Sequence, residues 1–134
     1  MPSASRIKGR LAHGSLLLIP VMVRGQDFEF LIDTGAAYTA LSKEMVAFLG
    51  IRVNPSQTML IAPAQGSTFR APLLTIAELR IGGFRLLNIV AIVLEFPPIL
   101  KIDGVIGMNV LSQFRVTLEA DTAHLVLRRL PSRS

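Results

Sequence analysis

Along the chain, apolar residues gather in short runs that glycine, proline and small polar residues interrupt at close intervals. That rhythm predicts an all-β or mostly β domain with two short helices. Ser15 to Val23 reads as a first strand, Arg24-Gly25-Gln26-Asp27 as a turn, and Phe28 to Ile32 as a second strand running into Asp33. Tyr38 to Leu41 is short and strand-like. Ser42 suits an N-cap, Glu44 the first turn and Gly50 the C′ position of a helix from about Lys43 to Leu49. Thr58 to Ala77 reads as a long hairpin with Ala64-Gln65-Gly66-Ser67 at its tip, and Gly82-Gly83 as another reversal. Leu86 to Leu94 is a nearly unbroken apolar run, as expected for a strand buried on both faces. Glu95 to Lys101, with Pro97-Pro98, is expected to be a loop, Gly104 to Gly107 extended chain, and Met108 to Phe114 the second helix. Arg115 to Leu118 and His124 to Leu127 read as two strands joined at Glu119-Ala120-Asp121-Thr122. Met1 to Gly14 is polar and small and predicts a flexible tail, which leaves one domain over 15–130 and a C-terminal tail at 131–134.

Composition agrees with a single folded body. A chain of 134 residues suits one core, and 51% apolar against 17% charged residues argues against disorder. No repeat of solenoid length and no low-complexity tract interrupts it. The net charge of +5 sits largely at the ends, with Arg6, Lys8 and Arg10 at the start and Arg128, Arg129 and Arg133 at the finish. Basic ends can meet nucleic acid or an acidic membrane surface. No helix, aromatic platform or finger motif accompanies them, so solvated tails are expected and nucleic acid is not a predicted partner. The absence of cysteine excludes disulfides and thiol catalysis and leaves the redox compartment open. The apolar stretch Leu16 to Val23 follows a basic start, but Pro20 interrupts it and no small-residue cleavage site follows. It also falls short of the ~20 residues that span a bilayer. A strand is the better reading, with no membrane span and a cytoplasmic location as the expectation.

Several chemistries find no support. His13 and His124 are the only histidines and lie in no ligand-spaced cluster, so no metal site is predicted. His13-Gly14-Ser15 does not build a nucleophile elbow, which needs glycine on both sides of the serine. No phosphate-cradling or dinucleotide fingerprint occurs, and no cofactor is expected. Met22, Met45, Met59 and Met108 fall within apolar segments, as core filler does.

Asp33-Thr34-Gly35-Ala36 is different. A carboxylate directly after an apolar strand is held by rigid backbone yet exposed at the strand's end. Gly35 leaves backbone N–H groups free to approach that carboxylate or a substrate. The Thr34 hydroxyl can both donate and accept, which suits a link to a neighbouring loop. Asp and Gly could equally provide mere turn geometry, and the tripeptide alone is a modest signal. A second element sharpens it. Asp103-Gly104-Val105-Ile106-Gly107-Met108-Asn109-Val110-Leu111 places two apolar residues before a glycine that opens a helix.

Together, Phe30-Leu31-Ile32-Asp33-Thr34-Gly35-Ala36, the hairpin around Gln65-Gly66 and Val105-Ile106-Gly107 resemble the retropepsin-like aspartic protease family in its single-domain form. Their order and separation match, and the resemblance spans roughly Ser15 to Leu130. It implies an acid-protease barrel with a flap hairpin, and an endopeptidase acting on a peptide or protein substrate. By position, Asp33 resembles the catalytic acid and Thr34 the threonine that bridges to the other subunit's loop. Gly35 resembles the residue that lines the substrate backbone, and Ala36 completes the active-site loop. Ala64, Gln65, Gly66 and Ser67 occupy the place of the flap tip. Val105 and Ile106 occupy the place of the strand beneath the catalytic loop, and are expected with the flap to contact substrate. Ile61, Phe69 and Leu73 add to the apolar residues expected around the pockets.

The reaction needs two carboxylates sharing a proton, and Asp33 alone stands in an Asp-Thr-Gly setting. Asp121-Thr122-Ala123 lacks the glycine and reads as a hairpin turn, Asp27 as another turn, and Asp103 as a loop residue. The second carboxylate is therefore expected from a homodimer, whose twofold axis would bring a second Asp33. The terminal strands are expected, from the resemblance, to pair across that dimer and shield open edges. Ala36 stands where two-lobed pepsins usually carry a hydroxyl, so an activity optimum less acidic than theirs is expected. The alternative is a catalytically weak or inactive dimer of this fold that acts as a peptide-binding or scaffolding module, holding an extended peptide by strand addition.

Overall fold

A computed structural model describes residues 2–131. Eleven strands and two short α-helices make up most of it. In chain order they are β1 (Ala4–Lys8), β2 (Arg10–Ala12), β3 (Leu16–Val23), β4 (Gln26–Ile32), β5 (Thr39–Ser42), α1 (Lys43–Leu49), β6 (Thr58–Ile61), β7 (Phe69–Ile81), β8 (Phe84–Leu94), β9 (Gly104–Ile106), α2 (Met108–Leu111), β10 (Phe114–Glu119) and β11 (His124–Arg129). The mostly β class expected from the apolar rhythm is the class observed.

Eight strands form one sheet in the order β2-β3-β4-β9-β5-β8-β7-β6, and β3 pairs again with β7 through Met22–Arg80 and Val23–Leu79. That second pairing curls six of the strands into an unevenly closed barrel. The short β9 is its keystone. Phe30, Leu31 and Ile32 of β4 run parallel to it against Gly104, Val105 and Ile106, while Ala40 and Leu41 of β5 run antiparallel on its other side.

Strand periodicity then sorts side chains into two layers. Phe30, Ile32, Leu41, Ala91, Val93 and Ile106 enter the main core with Leu79, Ile81, Phe84 and Leu125. Their neighbours Leu31, Ala40, Ile92 and Val105 turn the opposite way, into a second, smaller cluster with Leu18, Ala71 and Ile102. A cleft opens above this second layer. Helix α1 forms as its caps predict. The Ser42 hydroxyl accepts the Met45 N–H at 3.0 Å, and Gly50 takes φ 66°, a left-handed conformation that glycine adopts without steric penalty.

Three expectations need correction. Residues 1–14 are not a loose tail as far as they are described: β1 pairs along β11, and β2 along β3. The register Ala4–Arg128 to Lys8–His124 buries Ile7, and the pairing partner lies far along the chain, so local pattern could not signal it. β11 has both edges occupied within the chain, by β1 and β10, which leaves β1 as the terminal strand with an open edge. β8 is buried on both faces only over Ala91–Val93; nearer its start it alternates, and Leu87 is 52% exposed. The second helix ends at Leu111, because Phe114 is drawn into the core as the first residue of β10. Of the expected C-terminal tail, residues 132–134 lie outside the described residues.

Edge strand β2 is fastened by a two-pronged ion pair, Arg10 Nε to Glu29 Oε2 at 2.7 Å and Nη2 to Oε1 at 2.8 Å. The Arg10 hydrogen bond holds the Glu29 carboxyl below its ordinary range, against a smaller opposing effect of burial. Both side chains are about half exposed, so solvent screening leaves the pair only a small contribution. A depressed carboxylate contributes stability above its unfolded pKa and loses it as pH falls through the lowered folded value. Arg10→Gln should therefore lower stability slightly at neutral pH and not at all in strong acid, in denaturant melts at the two pH values. An equal loss at both would show that packing, not charge, fixes β2.

Candidate active site

Asp33 follows directly on β4, and its own backbone continues the ladder: Asp33 N–H donates to the Ile106 carbonyl at 3.1 Å. The chain then turns back on itself. Ala36 N–H donates to the Asp33 carbonyl at 3.2 Å, and Gly35 N–H donates to Asp33 Oδ1 at 2.9 Å. A Cβ at Gly35 would stand 3.2 Å from that oxygen. The carboxylate is half-buried, Ala36 likewise, and Thr34 and Gly35 are exposed. The Thr34 hydroxyl has no hydrogen-bond partner among the described residues, so it is available to a group outside the chain.

The start of α2 clamps the loop from behind. Met108 N–H donates to the Ala36 carbonyl at 2.7 Å and Asn109 N–H to the Ala37 carbonyl at 3.1 Å. Asn109 Oδ1 accepts both the Thr39 N–H and the Thr39 hydroxyl, each at 2.9 Å, and Nδ2 donates to the Val90 carbonyl at 2.7 Å. The Thr39 hydroxyl in turn accepts the Gly107 N–H at 3.3 Å. Thr39 is fully buried, so this network is shielded from water and holds both ends of the loop to one helix. Gly107 is the contact point. A Cβ there would lie 2.5 Å from the Tyr38 carbonyl carbon and 2.9 Å from the Ala36 oxygen. Reading the chain did not find Thr39 and Asn109; their only signal is that both are polar residues next to apolar runs.

In front of Asp33 lies a cleft of about 530 Å³. Its walls are Leu31, Ala40, Ile92 and Val105 from the second layer, Met59 to Ala62 from β6 and its exit, Leu94 at the end of β8, and Phe96, Leu100 and Ile102 from the segment after it. Asp33 is the one ionisable group of the lining besides Tyr38, and the one carboxylate. An apolar trough with a single carboxylate at its edge suits an extended chain bearing apolar side chains.

Of the residues expected at this site, Asp33, Gly35, Ala36, Val105 and Ile61 line the cleft. Ile106 does not. It is fully buried in the main core because it follows Val105 on a strand, where successive side chains face opposite ways. Phe69 and Leu73 also lie outside the lining. Ala64, Gln65, Gly66 and Ser67 sit in the exposed connection between β6 and β7, beyond the cleft walls, and it is the β6 arm that reaches the cleft. Among the described residues no group of three or more histidine, aspartate or glutamate side chains is placed to hold a metal ion. No helix among them is long and apolar enough to cross a membrane.

A strand-end carboxylate braced over a crossing strand, at the edge of an apolar cleft in a small β barrel, defines the retropepsin-like class of aspartic proteases. The chain belongs within that class to the family of gag-polyprotein putative aspartyl proteases, which matches residues 19–113. Among solved structures it is similar to a retropepsin-like aspartic protease from Rickettsia conorii, with 26% identity and a TM-score of 0.69 over 94% of this chain and 90% of that one. A search of curated proteins finds no match.

Proposed function

We propose that the chain is an aspartic endopeptidase whose active site forms when a twofold axis brings Asp33 of one protomer against Asp33 of the partner subunit. One observation carries this reading: a braced, half-buried carboxylate faces an apolar cleft that contains no second carboxylate. With two copies in contact, both cannot ionise together. The ionised one accepts a proton from a water held between them as that water attacks the scissile carbonyl. The protonated one donates to the carbonyl oxygen, and the tetrahedral species then collapses with proton transfer to the leaving nitrogen. Thr34, exposed and without a side-chain partner among the described residues, would bridge to the matching loop. Residues 62–68 would act as the flap over an extended peptide, with the apolar walls selecting apolar side chains beside the cut.

An assay of peptide cleavage across a dilution series, with oligomeric state measured on the same samples, tests this reading. Specific activity should fall with the dimer fraction as concentration drops through the dissociation constant. Constant specific activity in a monomer would overturn the shared site. A stable dimer that cleaves no peptide library at any pH would instead leave a peptide-binding module.

A further inference from the structure

The two basic ends of the sequence, more than a hundred residues apart, meet on one sheet. In the β1-β11-β10 sheet, residues directly opposite one another share a face, and alternate residues along each strand return to it. Ile7, Leu125, Leu127 and Phe114 turn inward and are buried. The outer face then carries Arg6 and Lys8 on β1, His124 and Arg128 on β11, and Arg115 and Glu119 on β10, with Arg115 directly opposite Arg128. Glu119 is the one acid on this face and is taken by Arg6 at 2.7 Å. Lys8 donates to the Thr122 carbonyl at 2.7 Å and keeps its charge. Arg115 and Arg128 are exposed and have no hydrogen-bond or ion-pair partner among the described residues.

Two unpaired cations directly across a strand pair repel each other, and an anion between or above them removes the repulsion. We propose that this face is a docking surface for the anionic headgroups of a lipid bilayer. Its shape favours a plane of charge. Arg115 and Arg128 stand about 4.8 Å apart across two strands, and Lys8 extends the charge to the third strand, four residues or roughly 14 Å along the sheet. A nucleic acid strand presents a line of phosphates. It is usually held with aromatic stacking or a helix in a groove, and this face has neither. Attraction to an anionic leaflet grows with each arginine or lysine near the surface and is screened within about 8 Å at physiological salt.

The test is sedimentation of the purified chain with phosphatidylcholine vesicles, with and without phosphatidylserine. Binding should require phosphatidylserine and weaken as salt is raised. The double variant Arg115→Gln, Arg128→Gln should lower the partition coefficient by about tenfold. Arg52→Gln with Lys101→Gln removes the same charge from exposed positions elsewhere and should change it by less than about twofold. Arg115→Lys with Arg128→Lys keeps both charges and should retain binding. The proposal is overturned by binding indifferent to phosphatidylserine, by equal losses in the two Gln pairs, by loss of binding in the Lys pair, or by tighter binding to duplex DNA or RNA that depends on the same two arginines.

Discussion

Asp33→Asn is expected to lower kcat/KM on a peptide substrate by roughly a thousandfold or more, while oligomeric state and melting temperature barely change. The substitution is nearly isosteric, and the side-chain carbonyl oxygen can still accept the Gly35 N–H now held at 2.9 Å. What disappears is chemical. An amide can neither hold a negative charge that draws a proton from water nor share a proton with its symmetry mate. Because the axis repeats the residue, one substitution removes both members of the proposed dyad. Steady-state kinetics beside size-exclusion measurements checks this. Activity within tenfold of the wild type would mean that another group does the chemistry.

Gly107→Ala should have the largest effect on the fold, destabilising the chain by about 3 kcal/mol or more and taking activity with it. Gly107 has φ −100°, which any residue adopts, so the cost is one of space rather than conformational freedom. The added methyl would fall on the Tyr38 carbonyl group and against the Ala36 oxygen, both backbone, and backbone cannot swing aside as a long side chain can. Relief requires α2 and the 33–38 loop to separate. That stretches the Met108 N–H to Ala36 bond and the Gly107 N–H to Thr39 bond, which hold the loop in place. Denaturant melts and activity on the same preparation check it. A variant within 1 kcal/mol of wild type and fully active would show that this contact does not position the loop; cavity-free overpacking of a tight core costs about 1–3 kcal/mol or more.

The contrast between these residues and others shows where sequence was informative. Asp33 was visible because an apolar strand, a carboxylate and a glycine are consecutive, and α1 because Ser42 and Gly50 mark its ends through contacts a few residues away. Sequence alone assigns Val105 and Ile106 together to substrate contact. Only strand pairing with β4 and β5 decides which of them faces the cleft and which the core. β1 and β2 escaped notice because their partners are distant or their length is small. Basic residues at a chain end look like a solvated tail until Leu125 and Leu127 bury Ile7 beneath them. Thr39 and Asn109 were missed for a related reason: each is unremarkable alone, and their meaning lies in a bond across 70 residues.

The most direct test of a site shared between two chains is to mix wild type with Asp33→Asn at constant total concentration, well above the dissociation constant, and allow subunits to exchange. If each active site requires Asp33 from both protomers, activity should follow the square of the wild-type fraction, about one quarter at an equal mixture. Activity that falls in simple proportion, to about one half, would mean that each chain works alone and would contradict the shared dyad.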